Sequence, residues 1–213
     1  AMRLADGGTA SFTTAVDAVV LPPSGTLTLK AENAALGPIL SALTGISALS
    51  GTGNLAAELS AQGRTQEELA GTLKGSASLS LAQAKLAGID AGSLVSALNT
   101  RILDGWAAAP GETPLSSVAA NLTLADGVAK ITSASAIAGA MTLNISGTVD
   151  LLRRALDIRA MPGPPETAPL PVAVALTGNW AAPRIYPDIP DILNNPEGGF
   201  ARLRTPQVPM TGN

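Results

Sequence analysis

The 213-residue chain has no cysteine and no histidine, and only 2% of its residues are aromatic. Without cysteine there is neither a disulfide framework nor a thiol nucleophile, which fits an oxidising compartment without requiring one. Without histidine the commonest general base is missing, as are the usual zinc ligands and the Ser/His/Asp and Cys/His arrangements. No window approaches the roughly 18 to 20 continuous apolar residues that span a bilayer, and no basic-then-apolar signal peptide opens the chain. Beginning at Ala1-Met2, the chain reads as a soluble piece of a longer, anchored protein. Charge is also sparse. Thirteen basic residues against sixteen acidic ones give a net charge of -3 with no basic stripe, so nucleic acid is not expected as a partner.

Hydrophobic residues make up 46% of the chain. With so few rings, this apolar volume is Ala, Leu, Val and Ile, which suits flat, repetitive layers. The length suffices to bury a core without metal or disulfide help. We expect one β-rich domain over residues 1–186, followed by a Pro-rich, extended or disordered tail over 187–213 that holds at most a short helix near Asp188 to Leu193. Eleven of the sixteen prolines lie after Met161, where they remove ladder donors and exclude a central strand beyond Pro183.

The stretch Thr65 to Ile102 organises the reading. Thr65 and Glu68 stand at capping-box spacing before Leu69 and Leu73, and Gly71 ends that short helix. From Gly75 the period becomes two, with Ala77, Leu79 and Leu81 on one face and Ser76, Ser78 and Ser80 on the other. After Gly88-Ile89-Asp90, the residues Leu94, Val95, Leu98 and Ile102 form one stripe of an amphipathic helix.

Upstream, residues 9 to 20 alternate as a strand, Pro22-Pro23-Ser24-Gly25 turns, and Leu27, Leu29 and Ala31 continue as its antiparallel partner. Leu36, Ile39, Leu40 and Leu43 have helical spacing, with Pro38 near the start and Gly45 as the stop. A strand follows from Gly51 through Leu55, Ala57 and Leu59. Downstream comes a meander: Val118 to Leu124, turned by Asp126-Gly127, then Val128 to Ile137, Met141 to Val149, Leu156 to Ala160 and Leu170 to Leu176. The expected fold is α+β and β-rich: a twisted, mainly antiparallel, curved or groove-like sheet of eight or nine strands with two or three short amphipathic helices.

Chemical motifs are few. Glu67 and Glu68 are adjacent on a helix, point apart and read as solvated surface. Asp188 and Asp191 read as capping or solvation, not metal binding. Gly51-Thr52-Gly53-Asn54-Leu55-Ala56 matches a dinucleotide fingerprint, but that motif needs a helix after it, and here the residues alternate as a strand. Asn121-Leu122-Thr123 and Asn144-Ile145-Ser146 are sequons inside strands, and Arg153-Arg154 reads as a solvated turn that could touch acidic headgroups. No catalytic residue, metal ligand or cofactor site is assigned. A surface remains as the candidate. If strands 116 to 161 curl, Leu122, Leu124, Ile131, Ile137, Met141, Leu143, Ile145, Val149, Leu156 and Ile158 line an apolar trough able to shelter acyl chains. Otherwise the same faces pack on the helices as core.

The order of elements from Thr65 to Ile102 resembles the C-terminal region of the AsmA family of bacterial envelope proteins. Further pieces are Thr113-Pro114-Leu115, Asp126-Gly127-Val128, Gly147-Thr148-Val149-Asp150-Leu151 and Leu156-Asp157-Ile158. The close, Leu170-Pro171-Val172-Ala173-Val174 leading to Leu176-Thr177-Gly178-Asn179-Trp180 and Pro183 to Asp188, is similar too; coverage is roughly residues 30 to 192. The resemblance implies a non-enzymatic periplasmic module, tethered to the inner membrane by an N-terminal helix outside this sequence. It also implies a role in outer-membrane biogenesis and phospholipid transport along a hydrophobic β-groove, with envelope proteins as further partners. Two other readings remain: an interaction module that pairs through an exposed strand edge, and, weakest, a Ser/Lys or carboxylate hydrolase.

Overall fold

The computed structural model describes residues 2–3, 7–44, 47–88, 90, 111–163, 173–188 and 194. The amphipathic helix expected after Asp90, the Pro164-Pro165 loop and the helix expected within the tail lie outside these residues.

Eleven strands form one antiparallel sheet in strict sequence order. They are β1 (Met2–Arg3), β2 (Thr9–Asp17), β3 (Ser24–Ala35), β4 (Leu49–Gln62), β5 (Lys74–Ala87), β6 (Glu112–Ala125), β7 (Val128–Ala138), β8 (Met141–Asp150), β9 (Ala155–Pro162), β10 (Val174–Asn179) and β11 (Arg184–Pro187). β1 and β11 are additions to the expected set. β11 keeps to the rule for proline, since it lies at the sheet edge with Pro187 as its last residue. β2 stops earlier than its alternation suggests: the Asp17 carboxylate accepts the Val19 N–H at 2.9 Å and turns the chain away. The sheet is not closed, because β1 and β11 do not pair with each other.

Among the described residues, two short helices accompany the sheet. α1 (Leu36–Thr44) sets Leu36 in the core, fully buried beside Ala31, Ala34, Leu55, Leu81 and Ala84. α2 (Gln66–Gly71) joins β4 to β5 and has the expected cap. Thr65 Oγ1 accepts the Glu68 N–H at 3.1 Å, and the Glu68 carboxylate accepts the Arg64 N–H at 2.6 Å. The carboxylate thus reaches one residue beyond the N-cap amide of the standard box.

The turns at one rim are tied together. Gly63 N–H donates to the Pro23 carbonyl at 2.9 Å, and the Thr72 hydroxyl accepts the Gln62 N–H at 2.9 Å. Gly127 N–H donates to the Leu73 carbonyl at 3.0 Å, and the Gly127 carbonyl accepts Leu151 N–H at 3.0 Å. Asp126 and Gly127 both have positive φ, 49° and 74°, as a two-residue type I′ hairpin demands. A Cβ at Gly127 would also collide with the Ala70 carbonyl, so this glycine lets α2 approach.

Gly75 and Gly147 serve the ladder itself. Their φ values are 142° and 130°, and a Cβ would overlap the Glu58 and Asp157 carbonyl oxygens respectively. Replacing Gly147 by Ala combines backbone strain with that collision, so we expect a loss of about 2 kcal/mol or more. Thr65→Ala should cost about 1 kcal/mol through the lost cap. Urea titrations check both: each variant should shift the midpoint in that order with an unchanged slope.

Candidate functional site

Register converts the alternating strands into continuous rows that cross the sheet. One row runs Ala10, Ala31, Leu55, Leu79, Ala120, Ala134, Ile145, Ala160 and Val174, each opposite the next on its neighbouring strand. Two residues further along lies Phe12, Leu29, Ala57, Ala77, Leu122, Ile131, Gly147, Ile158, Leu176 and Ile185. A third reads Thr14, Leu27, Leu59, Gly75, Leu124, Ala129, Val149 and Leu156. The opposite face carries Thr13, Thr28, Glu58, Ser76, Thr123, Lys130, Thr148, Asp157, Thr177 and Arg184 in one unbroken polar row. One face of the molecule is thus aliphatic and the other hydroxylated and charged.

The apolar face is not uniform. Its first row, together with Leu81, Val118 and Ala136, belongs largely to the core cluster around α1. The second and third rows are mostly half-buried, forming a strip two rows wide. Strand spacing of about 4.8 Å makes the strip roughly 40 Å long. Leu122, Leu124, Ile131, Val149, Leu156 and Ile158 lie in it. Leu143 and Ile145 instead pack against the core cluster, and Met141 alternates with them on the same face.

Ile137 lies elsewhere. β7 carries one extra residue at Thr132, since Leu122 pairs with Ile131 but Asn121 pairs with Ser133. That bulge shifts the alternation, placing Ile137 opposite Ser117 and Thr142 on the polar face, 37% exposed. Similar slips occur in β3, between Ala31 and Ala34, and in the β4–β5 pairing, between Ser50 and Thr52. Each is legible in the sequence: apolar positions go from 29 and 31 to 34, from 79 and 81 to 84 and 86, and from 129 and 131 to 134 and 136.

At the β2–β4 end, α2 roofs the strip. A cavity of about 390 Å³ lies there, lined by Val16, Leu27, Leu59, Leu69, Ala70 and Leu73 among others. A larger hollow, about 730 Å³, is on the polar face, floored by the middles of β3 to β6 and flanked by Lys30, Asn54, Ser78, Ser80 and Asn121. Asn54 Oδ1 accepts the Asn33 N–H at 2.9 Å, holding the β3 bulge, where Asn33 has φ 50°. The dinucleotide-like glycines sit inside β4, where a Cβ at Gly53 would overlap the Ser80 carbonyl. They permit close strand approach, and β4 continues past them to Gln62 where the fingerprint needs a helix.

Among the described residues no group of three or more Asp or Glu could hold a metal ion. Among the described residues, Asp150 in the β8–β9 turn is an acidic group with a resolved perturbation. Its pKa is lowered, chiefly by the Arg153 backbone N–H donating to it at 2.8 Å, with the Arg153 guanidinium at 3.1 Å adding to the effect. This turn is the Arg153-Arg154 pair of the sequence, and Arg154 adopts φ 52° within it.

Fold and surface together define an open antiparallel sheet with one aliphatic face. The chain belongs to the AsmA family, whose match covers residues 2–134, from β1 into β7. The segments around Gly147 to Ile158 and Leu170 to Asp188 lie beyond that match. No curated protein and no solved structure matches the chain. Membership is consistent with a role in envelope and outer-membrane biogenesis. No helix among the described residues is long and apolar enough to cross a membrane.

Asp150 gives a pH prediction. Its folded pKa lies below its unfolded one, so its contribution to stability is complete above the ordinary carboxylate range and disappears as pH falls through the folded value. Asp150→Asn should flatten the fall in stability as the pH drops through and below the ordinary carboxylate range. Urea midpoints measured across that range, beside an NMR titration of the Asp150 carboxyl, check the sign.

Proposed function

We propose that this chain is a non-catalytic periplasmic module of an inner-membrane-anchored envelope protein, and that its apolar strip shelters phospholipid acyl chains during transport. The observation that carries this reading is the pair of half-exposed aliphatic rows crossing the sheet from β2 toward β11. A chain of methylenes laid along these rows leaves water at about 0.8 kcal/mol per buried CH₂. The rows run perpendicular to the strands, so a lipid tail meets Leu122, Ile131 and Ile158 in succession without crossing a polar side chain. Headgroups then remain in water at the rim, where no buried charge has to be desolvated. The absence of histidine and cysteine from the chain supports a surface role over a catalytic one.

Native mass spectrometry of the purified chain, with organic extraction of the same sample, tests the proposal. Stoichiometric phospholipid is expected. It should be lost in a Leu122→Gln, Ile158→Gln double variant with an unchanged circular dichroism spectrum, because neither residue belongs to the packed cluster around α1. A lipid-free mass that persists after incubation with phospholipid vesicles, or full lipid retention by the double variant, overturns the reading.

A further inference from the structure

Basic residues are sparse in this chain, yet three arginines meet at one corner of the sheet. The turn after β8 (Leu151 to Arg154) and the turn after β10 (Trp180 to Pro183) lie side by side, because Asp150 pairs with Ala155 and Ala155 pairs with Asn179. Trp180 N–H donates to the Arg154 carbonyl at 3.0 Å and joins the two turns. Each turn is also ordered from within. The Asp150 carboxylate accepts the Arg153 N–H at 2.8 Å, and Asn179 Oδ1 accepts the Ala181 N–H at 2.9 Å. From Asp150 to Arg154 and from Asn179 to Arg184 there are three arginines and one aspartate, a local charge of +2 in a chain of net charge -3.

These arginines are open to solvent. Arg153 has 82% of its side chain exposed, and Arg154 and Arg184 are exposed as well. Arg153 shares Asp150, but among the described residues no carboxylate forms an ion pair with Arg154 or Arg184. Asp157 stands across Thr177 from Arg184 in the polar row and does not pair with it. Two apolar groups accompany the cations: Leu152, 48% exposed within its turn, and the half-buried Trp180. A leucine and an indole flanked by arginines have the composition of a membrane–water interface. Indoles settle at headgroup depth, and a guanidinium group takes phosphate oxygens two at a time.

We infer that this corner docks on the surface of a bilayer carrying anionic phospholipid, with Leu152 and Trp180 entering the interface and Arg153, Arg154 and Arg184 meeting headgroup phosphates. Charge complementarity selects that partner, since a local excess of arginine in an otherwise acidic chain is drawn to a negative surface. Two short turns make a small footprint beside the roughly 800 Å² that a standard protein contact buries per partner. A bilayer asks for less, because several headgroups can gather under one corner. The third aliphatic row crosses β8 and β9 at Val149 and Leu156, one pair in from the turn. A bilayer held here therefore presents its headgroups beside the strip. The contact itself does not depend on whether the strip carries lipid.

Flotation with vesicles of phosphatidylcholine alone, and of equal parts phosphatidylcholine and phosphatidylglycerol, tests the inference. The chain should float with the anionic vesicles, far less with the neutral ones, and less again as salt is raised. Each arginine lost should weaken that binding about five-fold, so Arg154→Gln with Arg184→Gln should weaken it about 25-fold with an unchanged circular dichroism spectrum. Lys30→Gln with Lys85→Gln, the same change of charge on β3 and β5 away from the corner, should leave it nearly unchanged. The chain has two tryptophans, so a Trp106→Phe background isolates Trp180. Its emission should shift to the blue on the anionic vesicles and not with inorganic phosphate. Equal binding to both vesicles, equal losses in the two double variants, or an unmoved Trp180 emission in the bound state overturns the inference. So does indifference to both vesicles, which leaves the arginines to an acidic protein or to solvent. The Leu122→Gln, Ile158→Gln variant keeps the corner intact and should bind vesicles as before, so failure here and failure of the lipid-carrying reading are separate results.

Discussion

Everything in this molecule depends on register between neighbouring strands. Side chains alternate with period two, so a slip of one residue in any pairing would send that strand's leucines to the polar face. The sheet keeps its aliphatic rows across strand after strand only because compensating irregularities occur where the apolar alternation changes phase. Bulges in β3, β5 and β7 absorb the extra residues, and Asn33 is held in its left-handed conformation by Asn54. Glycines at 75 and 147 occupy ladder positions where a side chain would strike the neighbouring backbone.

Register is fixed chiefly from the turns. The Asp126-Gly127 hairpin sets the pairing of β6 with β7, and its amide and carbonyl in turn hold Leu73 and Leu151 at the neighbouring strand ends. α2 belongs to this rim as much as to the apolar face, since its cap residues tie β4 to β5 through Thr72. The rim is thus tied together by hydrogen bonds while the strip is half-buried.

Much of this was legible in the residues. The Thr65 and Glu68 cap, the Asp126-Gly127 turn and the alternation of β5 follow from local chemistry that tertiary contacts do not override. β1 and β11 were not legible, because strands of two and four residues carry no period to read. The misplacement of Ile137 has a definite cause: counting by twos from Ile131 assumes an unbroken ladder, and the bulge at Thr132 breaks it. The same phase change was present in the spacing of alanines, from Ala129 to Ala134 and Ala136, and an alternation test that allowed one slip would have found it. Which apolar residues pack around α1 and which stay half-open could not be read, because both sets show identical alternation. Leu143 and Leu122 differ only in what their rows meet across the sheet.

An open meander has a further consequence for how this scaffold tolerates change. Backbone pairing runs only between strands adjacent in sequence, so the sheet is quasi-one-dimensional, and stability approximates a sum of strand terms and neighbour interfaces. The core contributes little per residue, since among the described residues most of its buried apolar members are alanines and Leu36 alone is a large side chain wholly removed from water. Ladder geometry therefore weighs more than side-chain volume, and damage should stay local to the strands that share an interface. The same logic sets the ends apart from the middle. An interior strand is held from both sides, but β11 is held only by β10 among the described residues, so its order rests on that one ladder.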